Sequence, residues 1–253
     1  MKILLTNDDG IQAPGLKALA SAVAKKWDVT IVAPADQKSA TSHSVTLGQK
    51  LRVIKNSGGK VSQYAVHGTP VDCVKIAISE IENFYPDLII SGINQGANTG
   101  VSVYYSGTIS AAREGLINRI PAMAVSLCDK QYQNFSVACE IAGKLIEAYH
   151  RRAIPRDIFL NVNVPPVPKA EILGVKVTKQ ADSHFIEEFI LEKKRGRSRI
   201  YSLVGEIEIY DPDGTSDEEA VQANYISVTP LKIDETDYSA MAPLEKWFAK
   251  KKV

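Results

Sequence analysis

The chain has little cysteine and no excess of charge of either sign. Its 253 residues include three cysteines, Cys73, Cys128 and Cys139, an odd number with no CxxC pair. That spacing offers neither a disulfide framework nor a zinc site, and it fits buried thiols in a reducing compartment. Thirty Lys and Arg against 29 Asp and Glu leave a net charge of +1. The balance withholds the basic field that a nucleic acid or an anionic membrane surface requires. No apolar run approaches the roughly 18 residues of a membrane-spanning helix. Met1-Lys2-Ile3-Leu4-Leu5 gives way to Asn7-Asp8-Asp9 too soon for the core of a signal peptide. The expectation is a cytoplasmic protein with neither nucleic acid nor membrane as partner.

Several catalytic signatures are also missing. There is no GxxxxGK[ST] loop, no GxGxxG after the first apolar run, no GxSxG elbow and no HExxH. These absences argue against a P-loop NTPase, a dinucleotide enzyme, a serine hydrolase of the elbow type and a zincin. No cysteine is followed six positions on by arginine, and Asp8 and Asp9 are adjacent rather than alternate. Cysteine-dependent and aspartyl-phosphate phosphatases are disfavoured accordingly.

What is present is alternation. Residues 2–6, 29–33, 87–93, 122–127 and 159–164 are short apolar runs of strand type. Between them, residues 16–26, 71–82, 108–118 and 135–150 carry helical spacing. Strand–helix repetition of this kind predicts an α/β fold, a Rossmann-like doubly wound, mostly parallel sheet with helices on both faces. With 45% hydrophobic residues the chain can bury such a core unaided. After Pro165-Pro166 the pattern changes. Residues 172–181 and 185–210 alternate as antiparallel hairpins do, Lys193 to Arg197 reads as a solvated tip, and Asp211-Pro212-Asp213-Gly214 as a turn. Residues 225–230 return as a strand and 241–252 as a terminal helix. The division expected is a catalytic core of 1–170 with 222–235, a β-hairpin projection of 171–221, and a helical arm of 236–253 that makes subunit contacts.

Ligands of open α/β sheets bind beyond the carboxyl ends of the strands. Asn7-Asp8-Asp9-Gly10 follows the first strand, Ser39 follows the second, and Asn94 ends the run 87–93. Two carboxylates, a hydroxyl and an amide are hard oxygen donors, the set that suits Mg²⁺, Mn²⁺ or Ca²⁺ rather than zinc. Taken singly, each has an ordinary reading as a turn, a solvated serine or a cap; together, on one rim, they favour an ion. Tyr105-Ser106-Gly107-Thr108 opens a helix whose N–H groups and dipole would receive phosphate. Ser106 or Thr108 would serve equally as a simple N-cap. His43 lies on the loop after Ser39 and is a candidate general acid, though a lone loop histidine is more often a bystander. His67 reads as steadying its own loop, and Asp72 as offsetting the dipole of the helix it begins.

These pieces together resemble the SurE family (stationary-phase survival protein E), metal-dependent 5′-nucleotidases. The resemblance rests on Thr6 to Gly10, Ala33-Pro34 with Lys38-Ser39-Ala40, and His67 to Val74. It continues through Ser91 to Asn98, Tyr105 to Gly115, Leu160 to Pro165 and Ile226 to Leu231, seven pieces in order across the chain. It implies a phosphomonoesterase of nucleoside 5′-monophosphates acting through a metal-activated water, with 3′-nucleotides and short polyphosphate as further substrates. One divalent cation per subunit, Mg²⁺ or Mn²⁺, would be held by Asp8, Asp9, Ser39 and Asn94. Phosphate would meet Asn98, Ser106, Gly107 and Thr108, and Asp8 is the favoured base over Asp9. Homodimers or homotetramers are implied as well. The competing expectations are a catalytically silent nucleotide sensor and an exopolyphosphatase. Lys38 and Gln95 depart from the family pattern, which commonly has arginine and a basic residue there, and Thr178-Lys179-Gln180-Ala181 matches only loosely.

Overall fold

The structure is a computed structural model that describes residues 1–56, 61–210 and 213–249. The chain forms β1 (Lys2–Thr6), α1 (Pro14–Val23), β2 (Asp28–Pro34), β3 (Val53–Asn56), β4 (Ser62–Val66), α2 (Pro70–Ser79) and β5 (Leu88–Gln95). Next come α3 (Ser102–Tyr105), α4 (Gly107–Ile117), β6 (Ala122–Leu127), α5 (Ser136–His150) and β7 (Phe159–Val164). The last part holds β8 (Gly174–Val177), β9 (Ser183–Arg195), β10 (Ser198–Ile209), α6 (Asp217–Gln222), β11 (Tyr225–Leu231) and α7 (Tyr238–Ala249). Among the described residues, nine strands make one sheet in the order β3-β4-β2-β1-β5-β6-β7-β11-β8. The six from β4 to β7 are parallel, while β3 and β11 run antiparallel to β4 and β7.

The period-2 geometry of a strand explains why these segments lack an exposed face. Ile3 and Leu5 of β1 join a core that includes Leu16 and Leu19 of α1 and Ile141 of α5. Leu4, pointing the other way, joins a second core with Val74 of α2 and Ile109 of α4. A strand covered on both faces must be apolar throughout, which is why the runs are continuous rather than alternating. Strand order reverses between β1 and β5, and this opens a crevice at their carboxyl ends.

Local chemistry fixes the elements beside that crevice. α2 begins with a capping box: the Asp72 N–H donates to Thr69 Oγ1 at 3.1 Å, and the Thr69 N–H donates to Asp72 Oδ2 at 2.8 Å. Asp72 therefore caps its helix. In β5, Gly92 pairs with Val125 and Asn94 with Ser126, so Ile93 is an extra residue, a bulge. The Ile93 carbonyl presses on α1 at Gly15, where a Cβ would lie 2.1 Å from the oxygen.

The structure departs from the sequence reading at the edges. β3 and β4 occupy a stretch to which the sequence reading assigns no element, because β3 is exposed throughout and β4 (SQYAV) has no apolar run. α6 was not expected either; it is six residues long, opened by a capping box between Ser216 and Glu219. β8 joins the main sheet beside β11, so only β9 and β10 form the projection. The terminal helix starts at Tyr238; its expected end at 250–252, like Asp211 and Pro212 of the expected turn, lies outside the described residues. None of the described helices is long and apolar enough to cross a membrane.

Gly15→Ala is expected to destabilise the protein by about 3 kcal/mol, the upper range for overpacking, because backbone rather than a movable side chain opposes the new methyl group. The midpoint of denaturant unfolding checks this.

Candidate active site

The carboxyl ends of β1, β2, β5 and β6 surround a cavity of about 420 Å³. Its wall includes Asp8, Asp9, Ser39, Asn94, Asn98 and Ser106. Six residues singled out in the sequence from four separate loops thus face one space. Gly10, at φ +95°, turns the chain immediately after the aspartates and lets both side chains leave the strand end on the same side of the sheet edge. The loop after β2 is fastened to this turn by the Lys38 N–H on the Asp8 carbonyl at 2.7 Å and the Ile11 N–H on the Pro34 carbonyl at 2.8 Å.

Asp8 is nearly buried, and burial pushes its carboxyl up to about 6; the Thr108 hydrogen bond opposes the shift and the charge of Asp9 adds to it. Asp9 is raised as well, by burial first, against hydrogen bonds from the Gln95 N–H and the Gln37 amide. Neither carboxylate makes an ion pair among the described residues. Two adjacent acids at a low-dielectric edge without a counter-charge form a strained electrostatic arrangement.

Gly107 and Thr108 stand behind Asp8 and are not among the residues of the cavity wall. A Cβ on Gly107 would lie 2.8 Å from the Asp8 Cβ. Thr108 is fully buried, its Oγ1 donates to Asp8 Oδ1, and its backbone N–H also addresses that carboxylate. The start of α4 is therefore spent on Asp8. Ser106 does face the cavity while its Oγ accepts from the Ile109 N–H at 3.1 Å, so it is an N-cap and a wall residue at once.

Asn98 is held from below by a buried amide network. Its N–H donates to Asn163 Oδ1 at 2.9 Å, and its carbonyl accepts from Asn161 Nδ2 at 2.7 Å and Asn163 Nδ2 at 3.2 Å. Its own Nδ2 donates to Ser126 Oγ at 2.8 Å. Further along the same loop, the Gly100 N–H and the Ala181 N–H share the carboxylate of buried Asp217, which ties the loop to the base of the β9–β10 projection.

His43 does not line the cavity. Its Nε2 lies 3.0 Å from Glu114 Oε2, and Glu114 also takes Lys75 Nζ at 2.7 Å and Asn118 Nδ2 at 2.9 Å. Burial acts to raise the Glu114 carboxyl, but these three partners outweigh it and hold it below the ordinary value. His43 and Lys75, both partly exposed, meet on the buried Glu114 carboxylate, and His43 is not among the residues of the cavity wall. Lys130, by contrast, lines the cavity and was not singled out. It follows β6, so the strand-end rule applied to that strand points to it. The Gln95 amide donates to the Lys130 carbonyl at 3.2 Å, which ties the end of β5 to the loop that carries this lysine.

A polar crevice at the switch point of a doubly wound sheet defines an α/β protein with a small-molecule site on its carboxyl edge. The profile of the family described as Survival protein SurE matches residues 3–187, and the chain belongs to that family. It is 43% identical over 250 residues to a protein of Chlorobium chlorochromatii (strain CaD3) named 5′-nucleotidase SurE, covering 98% of this chain and 92% of that one. It is 44% identical over 250 residues to the 5′-nucleotidase SurE of Geotalea daltonii (strain DSM 22248 / JCM 15807 / FRC-32), covering 98% and 99%. The crystal structure of the SurE protein from Aquifex aeolicus superposes with a TM-score of 0.85 at 33% identity, over 98% of this chain and 100% of that one.

Asn163→Ala is expected to cost about 2 kcal/mol by leaving buried groups of Asn98 and Asn161 without partners. Asn163→Asp keeps the acceptor for the Asn98 N–H but turns a buried carboxylate toward the Asn98 carbonyl and Asn161 Oδ1, so at neutral pH it should lose at least as much; both are read from thermal unfolding.

Proposed function

We propose that the chain hydrolyses nucleoside 5′-monophosphates to nucleoside and phosphate at this cavity. The observation that carries the reading is the meeting of Asp8, Asp9, Ser39 and Asn94 with Asn98 and Ser106 on one wall, in a chain whose relatives are named 5′-nucleotidase SurE. The same donor set fits a hard divalent cation. Two carboxylates without an ionic partner among the described residues, a hydroxyl and an amide oxygen make an all-oxygen site, and no described cluster of three His, Cys, Asp or Glu competes for that role. Asp8, Asp9, Ser39 and Asn94 would hold the ion, Mg²⁺ or Mn²⁺. When bound, it supplies positive charge against the phosphoryl oxygens and acidifies a water.

The remaining work falls to the chain itself. Lys130, the Asn98 amide and Ser106 Oγ orient the phosphoryl oxygens, and their fixed positions spare reorganisation as charge develops. Asp8 accepts the proton of the water that attacks phosphorus while the bond to the ribose oxygen breaks opposite. Thr108 holds the Asp8 carboxylate in one orientation for that transfer. The leaving oxygen takes its proton from solvent in the open cavity, and His43 acts as a positioning group for the loop 39–44 through Glu114.

We read the chain as self-associating through its second half. β9 and β10 project from the core with Phe189 63% and Leu203 53% exposed, and no residue of α7 is buried. Apolar side chains left in water on two neighbouring elements support a homodimer or homotetramer. Free Cys73, Cys128 and Cys139 support a reducing compartment, the cytoplasm.

The test is phosphate release from 5′- and 3′-nucleoside monophosphates and polyphosphate, with Mg²⁺, with Mn²⁺ and with a chelator. Release that needs metal and disappears in Asp9→Asn is expected; unchanged release in chelator would sink the reading. In the same assay His43→Gln should lose far less than the roughly 10²–10⁴-fold that removal of a general acid costs. For assembly, light scattering should report an oligomer that Phe189→Asp with Leu203→Asp, or Leu244→Asp with Phe248→Asp, reduces in mass.

A further inference from the structure

At the opposite pole of the sheet, by the amino ends of β5 and β6, lies a second cavity of about 480 Å³. Arg119, Arg152 and Arg156 line it, with His150, Tyr85 and Asp87. None of the three arginines makes an ion pair or a side-chain hydrogen bond among the described residues. Three guanidinium groups face one carboxylate, and Asp87 already accepts from the Lys2 backbone N–H at 2.7 Å. The cavity is left with a net positive charge inside a protein that is otherwise nearly neutral.

The backbone gives a second, independent reason to single out two of these residues. α4 and α5 both end in Schellman motifs. The Ile120 N–H donates to the Gly115 carbonyl at 2.9 Å, and the Ala153 N–H to the Ala148 carbonyl at 2.9 Å. The residue each motif places in the left-handed region is Arg119, at φ +59°, and Arg152, at φ +56°. Glycine is the residue that fits there without strain. Two separate helix ends thus set aside the favoured residue for the same one, and both side chains reach the same cavity. The charge of an arginine near a helix carboxyl end offsets the dipole, but that benefit is available at positions with ordinary backbone, such as Arg151.

The remaining walls suit a flat or compact organic group. Tyr149, its hydroxyl donating to the Ala122 carbonyl at 2.8 Å, Ile120 and Pro121 form part of the lining. The His150 ring is fixed edge-on against Trp27, centroids 5.0 Å apart, and Tyr85 is 58% exposed. Guanidinium groups recognise phosphate by paired N–H donors, which a lysine patch does not do. We propose that this basal cavity binds the phosphate group of a small molecule, either inorganic phosphate itself or a phosphate ester whose organic part lies against Tyr85 and His150. β5 separates this pocket from the rim, about 20 Å away by strand rise, so the site is distinct from the one described above.

The test uses the full-length protein in chelator at constant ionic strength, with inorganic phosphate, pyrophosphate and adenosine diphosphate as probes. Modification of arginines by a dicarbonyl reagent, read peptide by peptide by mass spectrometry, reports each residue. Protection of Arg119, Arg152 and Arg156 together, saturating with probe, is expected. Protection by inorganic phosphate at the lowest concentration identifies free phosphate as the occupant; tighter protection by adenosine diphosphate identifies an ester. The double variant Arg119→Gly with Arg152→Gly keeps the favoured residue at each left-handed position, so it should fold with an unfolding temperature equal to or above that of the parent. Protection of Arg156 in it should need roughly tenfold more probe or greater, the loss expected for charge-assisted hydrogen bonds. Unchanged modification rates at saturating probe, or a double variant that melts lower without probe and protects Arg156 as the parent does, would overturn the proposal and leave the arginines as helix caps.

Discussion

The structure turns on two carboxylates held together at the end of β1. Asp8 and Asp9 are neighbours in sequence, and only the strand's termination at Gly10 allows both to serve one cavity. Asp8 is then driven into a buried position where its charge is disfavoured, against the first turn of α4. That contact needs Gly107, since any larger residue would meet the Asp8 Cβ, and it needs Thr108 to supply donors from side chain and backbone. Among the described residues, no cationic side chain pairs with either acid. The arrangement is costly for the protein alone, and in the function proposed above a hard cation in the cavity would offset that cost.

The rest of the sheet edge is built to keep that arrangement still. The bulge at Ile93 re-aims Asn94, and the close approach of Gly15 locks α1 over the bulge. Asn161 and Asn163 place polar groups inside β7, in register with Thr229 and Ser227 of β11, and their amides carry the loop of Asn98 from beneath. Asp217 extends the same logic to the projection, because one buried carboxylate receives backbone N–H groups from the cavity loop and from the segment leading into β9. Cavity and projection are therefore mechanically continuous.

The two ends of the sheet are chemically opposite. The carboxyl edge gathers acids and amides with Lys130 as the cation of the wall, whereas the amino edge gathers arginines at the ends of α4 and α5. A parallel sheet makes this division natural. Helix N-termini crowd one edge and helix C-termini the other, so acidic or anionic groups are favoured at the first and basic side chains at the second. What the dipole does not account for is the strained backbone on which Arg119 and Arg152 sit.

The sequence by itself determined the doubly wound core and picked out four oxygen-bearing residues that share one cavity wall. Runs such as KILLT and FLNVNV can be buried on both faces only in a covered parallel sheet, and the strand-end rule then converts Asp8, Asp9, Ser39 and Asn94 from a list into a rim. Period and polarity are local properties, and they are readable one segment at a time. The tertiary structure alone decided the rest. β3 escaped because an exposed edge strand carries no apolar run and β4 because its sequence has none, while β8, expected in a hairpin, pairs instead with β11 far along the chain. Thr108, read as a phosphate donor or an N-cap, donates to Asp8; His43, read as a bystander or a general acid, is paired with Glu114; Lys130, not singled out, lines the cavity. Each of those outcomes depends on which way a side chain points across a gap between distant segments, and no pattern within a single segment encodes that direction.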